Sequence, residues 1–184
     1  GEALGLTWKD VDFDENEIHV NQNLVYGKLD KGEHFEYHIS TTKTPAGIRT
    51  IPIAKSVRKA LLDEYADQSK NGFNATVIDG INDFVFQVKE GYIGNSVNTN
   101  KAIHKICDSY NKAHNDAKVI LPHFSCHQIR HTFCTRFCEH EDNLKVIQSI
   151  MGHSDITTTM NVYAEATKHR NKISLMKFIH LSLF

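Results

Sequence analysis

Residues 125–166 read SCHQIRHTFCTRFCEHEDNLKVIQSIMGHSDITTTMNVYAEA. Three helices are written into this stretch by their ends. Ser125 suits an N-cap, because its hydroxyl can accept a backbone N–H of the first turn. The helix it opens is predicted to run to about His140. Asn143 caps a short second helix, and Gly152 stops it, since glycine enters the left-handed position beyond a helix end without a Cβ penalty. Ser154 or Asp155 starts a third helix that continues through Ala166. On the first helix His127 and Arg130 lie three residues apart and so share a face, with His131 one turn beyond His127. Cys126, Ile129, Phe133 and Phe137 gather on a different face, which is expected to be buried and to support the polar one.

Upstream of this region the pattern changes. Glu17–Val20, Phe35–Ser40 and Ile48–Ile53 are short runs of β-branched and aromatic residues, predicted as strands. Between the last two, Thr44-Pro45-Ala46-Gly47 suits a tight type I turn, with Pro second and Gly fourth. This predicts a hairpin around Lys43–Gly47. Ala54–Ser69 is predicted helical with an apolar face of Val57, Leu61, Leu62 and Tyr65. Ser96–Lys112 is predicted helical with Val97, Ile103 and Ile106 facing inward. Gly72–Phe86 reads as a loop with a brief apolar run. The fold class expected is α+β, mainly α: a helical domain with a small three-stranded antiparallel sheet.

The 184 residues suffice for one domain, expected to span 1–184, with its own core. No apolar stretch is long enough to cross a bilayer, so no membrane association is expected. Lys and Arg total 21 against 22 Asp and Glu, a net charge of −1. That balance does not suggest nucleic acid, which favours a basic surface, although twelve histidines and segregation of charge by face can offset it. Cys126, Cys134 and Cys138 fall on one helix, where side chains splay and disulfide geometry is poor. With Cys107 they are read as reduced thiols of a cytoplasmic protein, and Cys134 and Cys138 as helix-packing residues. His123, His127 and His131 are spaced by four, with Cys126 nearby. Pro122 and Ser125 place His123 before the helix, and the spacing matches no structural zinc site, so no metal is expected.

Taken together, His127 and Arg130 as HxxR, the Gly152-His153 turn and Tyr163 ten residues later form a pattern in a fixed order. It resembles the signature of the tyrosine recombinases, or phage-type integrases. The segment TTKTPAGIRTIPI resembles their catalytic-lysine hairpin, which points to Lys43. GEALGLTW at the start resembles the sequence just after their first catalytic arginine. The resemblance covers Gly1 to Tyr163, and among members it is nearest in look to integrases of conjugative transposons. By that motif the first arginine falls two residues before Gly1, so the chain is expected to begin inside a longer protein. The family's amino-terminal arm and core DNA-binding domains are then expected to lie outside it.

The resemblance implies the fold of the DNA breaking–rejoining enzymes and a set of roles. Tyr163 is the nucleophile on a phosphodiester; a phenol ionises only at about pH 10 and needs a base or a strong field. Arg130 offers a planar fork to two phosphate oxygens. Lys43 protonates the departing 5′ oxygen. His127 accepts the tyrosine proton or bonds the phosphate, and His153 bonds a non-bridging oxygen as charge builds. Glu2 matches the family's supporting acidic residue, and His131 is assigned a supporting role. The implied product is a 3′-phosphotyrosine with a free 5′-hydroxyl, with no metal or other cofactor. The implied partners are double-stranded DNA, three further copies in a tetramer on synapsed DNA (monomer when free) and an excision accessory factor. Two other functions fit the same residues: a type IB topoisomerase-like enzyme, and a catalytically silent DNA-binding or assembly module lacking the first arginine. The apolar tail Ile173–Phe184 either closes this domain's core or docks on a neighbouring protomer.

Overall fold

The computed structural model describes residues 1–28, 34–87, 93–114 and 118–181, with side chains described as far as Lys168. The chain divides into two compact units, residues 1–121 and 122–184.

In the first unit, strand β2 (Glu17–Val20) is the centre of a three-stranded antiparallel sheet. β1 (Val11–Asp12) lies on one side, with Val11 opposite Ile18. β5 (Arg49–Pro52) lies on the other, with Val20 opposite Arg49. The β1–β2 turn forms because the Asp12 carboxylate accepts from the N–H groups of Asp14 and Glu15, both at 2.9 Å. Asn16 closes it at φ 58°, a left-handed position that Asn tolerates. A second, two-stranded sheet pairs β3 (Gln22–Gly27) with β4 (Glu36–Thr41), antiparallel.

This topology corrects one expectation. β4 and β5 do not pair with each other across residues 43–47, so the lysine segment is no hairpin. β4 takes β3 as its partner, a strand not foreseen, and β5 takes β2. The link between the two sheets folds instead as a one-turn 3-10 helix, Pro45–Gly47.

Helix α1 (Lys55–Asn71) was expected to bury four apolar residues. Leu61 is buried, but Val57, Leu62 and Tyr65 are exposed. The second inward residue is Gln68, whose amide accepts from Trp8 Nε1 at 2.9 Å and donates to the Val85 carbonyl at 2.9 Å. A buried amide is tolerable because its donors and acceptor are used. On α2 (Ser96–Ala113), capped by Asn95, the buried residue is Cys107, while Val97 and Ile106 stay exposed. The loop's apolar run enters the core at Phe84 and Val85. Two apolar clusters result: Leu6, Val11, Ile53, Leu61 and Val85, and Leu24, Ile78, Phe84 and Ile93.

The second unit is three helices. α3 (Cys126–His140) opens with the Ser125 cap, and Gln128 returns the bond to the Ser125 N–H at 2.8 Å, a capping box. α4 (Leu144–Met151) opens at Asn143 and ends at Gly152, with φ 65° and ψ 33°. α5 spans Ile156–Leu181, well past Ala166. Of the α3 face expected to be buried, Phe137 packs on the core, and the other three residues do not. Ile129 and Phe133 are 48% and 53% exposed, and Cys126 is exposed. Cys134 and Cys138 are buried instead, with Ile147 and Met151 of α4 and Ala166 of α5. The small thiols let three helices approach closely, which bulkier aromatic side chains would prevent. Among the described residues no helix is long and apolar enough to cross a membrane. The expectation for residues 173–184 concerns side chains outside the described residues.

Candidate active site

The residues singled out by the sequence divide between the two units, Glu2 and Lys43 in the first, the rest in the second.

In the second unit, Arg130 sits one turn before Cys134 on the inward line of α3 and is half-buried. Its Nη2 donates to the carbonyl of Met151, the last residue of α4. Carbonyls at a helix C-terminus lack helical partners and carry the negative end of the dipole, so a guanidinium is favoured there. Immediately after, Gly152 turns the chain left-handed, and the His153 N–H returns to the Gln148 carbonyl at 3.2 Å. Gln148 Nε2 holds the His153 carbonyl at 3.0 Å. The His153 ring is then fixed from the other side, with Nδ1 3.0 Å from Thr159 Oγ1. Thr159 is fully buried in the first turns of α5. With the Thr159 hydroxyl as donor the ring proton sits on Nε2, the form that can donate to an anionic oxygen; with Nδ1–H as donor the hydroxyl accepts instead.

Tyr163 lies one turn beyond Thr159 on the same helix. Its ring packs on the Cys134–Cys138–Ile147–Met151–Ala166 cluster. Its hydroxyl donates to Asp142 Oδ1 at 2.9 Å. Asp142 precedes the N-cap of α4, whereas Arg130 is bound at that helix's other end. Eight residues of α4 separate the two anchor points, about 12 Å of helix axis at 1.5 Å per residue. The structure therefore brings Arg130 and His153 to one end of α4 and ties the Tyr163 hydroxyl to the other. His127 and His131 are exposed, one turn apart on α3.

The thiols of Cys134 and Cys138 lie buried beneath this surface. Burial raises Cys134, offset in part by a hydrogen bond from Cys138 and by the Arg130 charge. Burial, together with Cys134, pushes Cys138 up to about 11. None of the four cysteines forms a disulfide.

In the first unit, Lys43 is exposed on the link between β4 and β5. The neighbouring Thr42 is buried, and its hydroxyl donates to the Thr44 carbonyl at 2.8 Å. A Cβ on Gly47 would stand 2.5 Å from Thr42 Cβ, so only glycine lets the link fold this tightly. Glu2 binds Arg49 through both oxygens, at 3.2 and 2.8 Å. Sequence reasoning named Glu2 but missed Arg49, and it missed Asp142 and Thr159. Arg49 was visible only as the basic residue in an otherwise apolar RTIPI strand. Nothing in the local sequence marked the other two.

A helical unit with HxxR, a Gly-His turn and a tyrosine on the following helix, preceded in the chain by a β-rich unit with a lysine-bearing link, is the arrangement of the phage-type integrases. The model of the phage integrase family matches residues 1–170, and the chain belongs to that family. Among individual relatives it is 32% identical over 163 residues to the transposase from transposon Tn916 of Enterococcus faecalis, covering 89% of this chain and 38% of that protein. It is 30% identical over 171 residues to a tyrosine recombinase XerC-like protein of Caldanaerobacter subterraneus, covering 89% and 41%. Its fold is similar to that of the Tn1549 transposon integrase solved in complex with transposon right-end DNA, with TM-score 0.76, 35% identity, and 96% of this chain and 53% of that one covered. The chain thus spans about half the solved integrase and less of the two curated relatives.

Proposed function

We propose that this chain carries the catalytic residues of a site-specific DNA recombinase that integrates and excises a mobile element. The observation that carries the reading is the second unit's arrangement: Arg130, the Gly152-His153 turn and Tyr163 all mounted on one small helical core. The relatives named as transposase, recombinase and integrase support the same class.

The chemistry follows from the side chains. Tyr163 attacks the scissile phosphorus and displaces the 5′ oxygen, leaving a 3′-phosphotyrosine. Arg130 and His153 donate to the non-bridging oxygens, where charge grows in the transition state. His127, exposed on the same helix as Arg130, takes the phenolic proton or bonds the phosphate. Lys43 gives a proton to the 5′ oxygen, which departs as a hydroxyl. Because the phosphodiester is exchanged for a phosphoester of tyrosine, attack by another 5′-hydroxyl reverses the step without ATP. Glu2 and His131 support these groups. No metal or other cofactor enters the scheme, since cationic side chains do the neutralising. The partners are double-stranded DNA, further copies in a tetramer on synapsed sites and an accessory factor for excision. The setting is cytoplasmic, and residues 1–184 act as one catalytic domain.

Covalent trapping on a nicked suicide DNA substrate tests this in the full polypeptide. The adduct is expected with wild type and absent with Tyr163→Phe, while DNA affinity stays nearly unchanged. An adduct that persists in Tyr163→Phe removes the nucleophile and the reading with it.

A further inference from the structure

We propose that Arg49 is a positioning residue for Lys43, tying the lysine-bearing link to the amino-terminal segment through Glu2. The inference rests on the reading of Lys43 as the acid for the 5′ oxygen.

The need for such a residue comes from the topology. Lys43 lies on the segment joining β4 to β5, and these strands belong to different sheets. No ladder of hydrogen bonds crosses the segment, as one would in a hairpin. Its backbone is held by bonds within itself: Gly47 N to the Thr44 carbonyl at 2.9 Å and Ile48 N to the Pro45 carbonyl at 3.1 Å. Those bonds shape the link, and the β3–β4 and β2–β5 ladders hold its two ends; among the described residues no ladder holds Lys43 itself. Lys43 itself is exposed, and its long side chain is conformationally costly to fix. A proton donor has to reach its oxygen within about 2.6–3.2 Å, so the platform under it has to be located.

Arg49 supplies the tether. Its side chain is only 7% exposed, against 34% for Glu2. Nη1 donates to the Gly47 carbonyl at 2.8 Å, the last residue of the link's 3-10 turn. The same guanidinium donates to both oxygens of Glu2, Nη2 to Oε2 at 2.8 Å and Nη1 to Oε1 at 3.2 Å. Its backbone, meanwhile, is fixed in β5 opposite Val20. One planar group thus joins residue 2, 47 positions away, to the end of the link at Gly47 and to β5, on which the arginine itself stands. An ammonium presents no planar fork and cannot make the two-pronged carboxylate contact together with the carbonyl bond.

A general acid has a chemical signature that packing lacks. If the 5′ bridging oxygen is replaced by sulfur, the P–S bond breaks to a thiolate. A thiol is far more acidic than an alcohol, so that leaving group needs no proton. A defect caused by losing or misplacing the acid is therefore repaired by the sulfur substrate, whereas a defect in folding, DNA binding or nucleophile placement is not. The experiment measures single-turnover cleavage in the full polypeptide, on 5′-oxygen and 5′-bridging phosphorothiolate DNA. The proteins are wild type, Lys43→Ala, Arg49→Met, Arg49→Lys, Glu2→Gln and the Lys43→Ala/Arg49→Met double variant.

On oxygen DNA, Arg49→Met is expected to lose on the order of 10²-fold in rate, within the range general acids contribute. Arg49→Lys recovers little of that loss. On sulfur DNA, Lys43→Ala and Arg49→Met both return to within a few-fold of wild type. In the Lys43→Ala background, Arg49→Met costs little more, because it acts through a group already gone. Should Lys43→Ala be rescued and Arg49→Met not, the positioning role is overturned while the acid role of Lys43 stands. A Lys43→Ala defect that sulfur does not repair instead strikes the reading of Lys43 itself, and the inference falls with it. Melting temperatures show whether any variant is lost to misfolding. Glu2→Gln, which removes the charge and keeps the shape, then reads the same tether from its other end.

Discussion

Replacing Asp142 with alanine is expected to speed the first chemical step. The Tyr163 hydroxyl is bound to the Asp142 carboxylate at 2.9 Å, and a phenol that attacks phosphorus has to leave that partner. A hydrogen bond to an ionised group contributes about 1.5–3 kcal/mol when sheltered. Asp142 is exposed, so solvent competes for both partners and the figure is discounted to about 1 kcal/mol. At 1.36 kcal/mol per tenfold in rate, releasing the hydroxyl is worth about fivefold. The assay is single-turnover adduct formation on suicide DNA at saturating protein. Saturation matters because deleting a carboxylate also strengthens attraction to phosphate, and affinity has to be kept out of the rate. Asp142→Asn keeps an acceptor oxygen without the charge and is expected to fall between wild type and Asp142→Ala. An Asp142→Ala rate equal to or below wild type, with the melting temperature preserved, refutes the reasoning and makes the contact part of the working site.

Thr159→Val keeps shape and burial but removes the hydroxyl beside His153 Nδ1; cleavage is expected to drop about five- to tenfold, in line with about 1 kcal/mol for one hydrogen bond, with DNA binding intact. Wild-type cleavage by that variant would separate the His153 ring orientation from catalysis. Iodoacetamide at pH 8 is expected to label exposed Cys126 in the native protein and to reach Cys134 and Cys138 only after guanidinium unfolding, as peptide mass spectrometry can read; native labelling of Cys138 at the Cys126 rate contradicts its burial. Because the core holds Cys138 neutral, with its titration raised from 9.0 to about 11, its contribution to stability is full below pH 9 and is lost as pH climbs toward 11. Asp155 is the opposite case: the Thr157 N–H, followed by the Thr157 hydroxyl, holds its carboxyl below the ordinary 3.8. Its contribution to α5 is present above that value and is lost as pH falls through the lowered one, so the melting-temperature gap between wild type and Asp155→Ala is expected to close in acid.

The helix ends were legible because they are local. Ser125, Asn143 and Gly152 act on backbone groups two to five residues away, and each stands in the structure where the sequence put it. Strand pairing is not local, and there the reading failed. β3, QNLVYG, buries only Leu24 and so carries no apolar alternation. Once it was missed, β4 and β5 were left to pair with each other. On α3 the sequence offers two candidate stripes, and hydrophobicity favours Ile129 and Phe133. Cys134 and Cys138, read as packing residues, are buried, while Ile129 and Phe133 stay exposed, because the width available between three helices decides the matter. For the candidate site, the order and spacing that resemble the family pointed to Tyr163, Arg130, His127, His153 and Lys43, the residues proposed for catalysis. Their holders were not readable: Asp142 lies 21 residues from Tyr163, and Arg49 lies 47 from Glu2. Contacts at such range have no motif.

In an ordinary β-hairpin the number of residues at the tip dictates which strand positions face one another, so an inserted residue there reshuffles a whole ladder. The stretch from Thr42 to Ile48 escapes that rule, since its two ends are registered against β3 and β2 separately. Lengthening or shortening it by one residue leaves both ladders aligned, while it alters the Thr42–Gly47 contact and how far the ammonium of Lys43 reaches. The reach of Lys43, the proposed acid, can therefore be retuned without rebuilding either sheet.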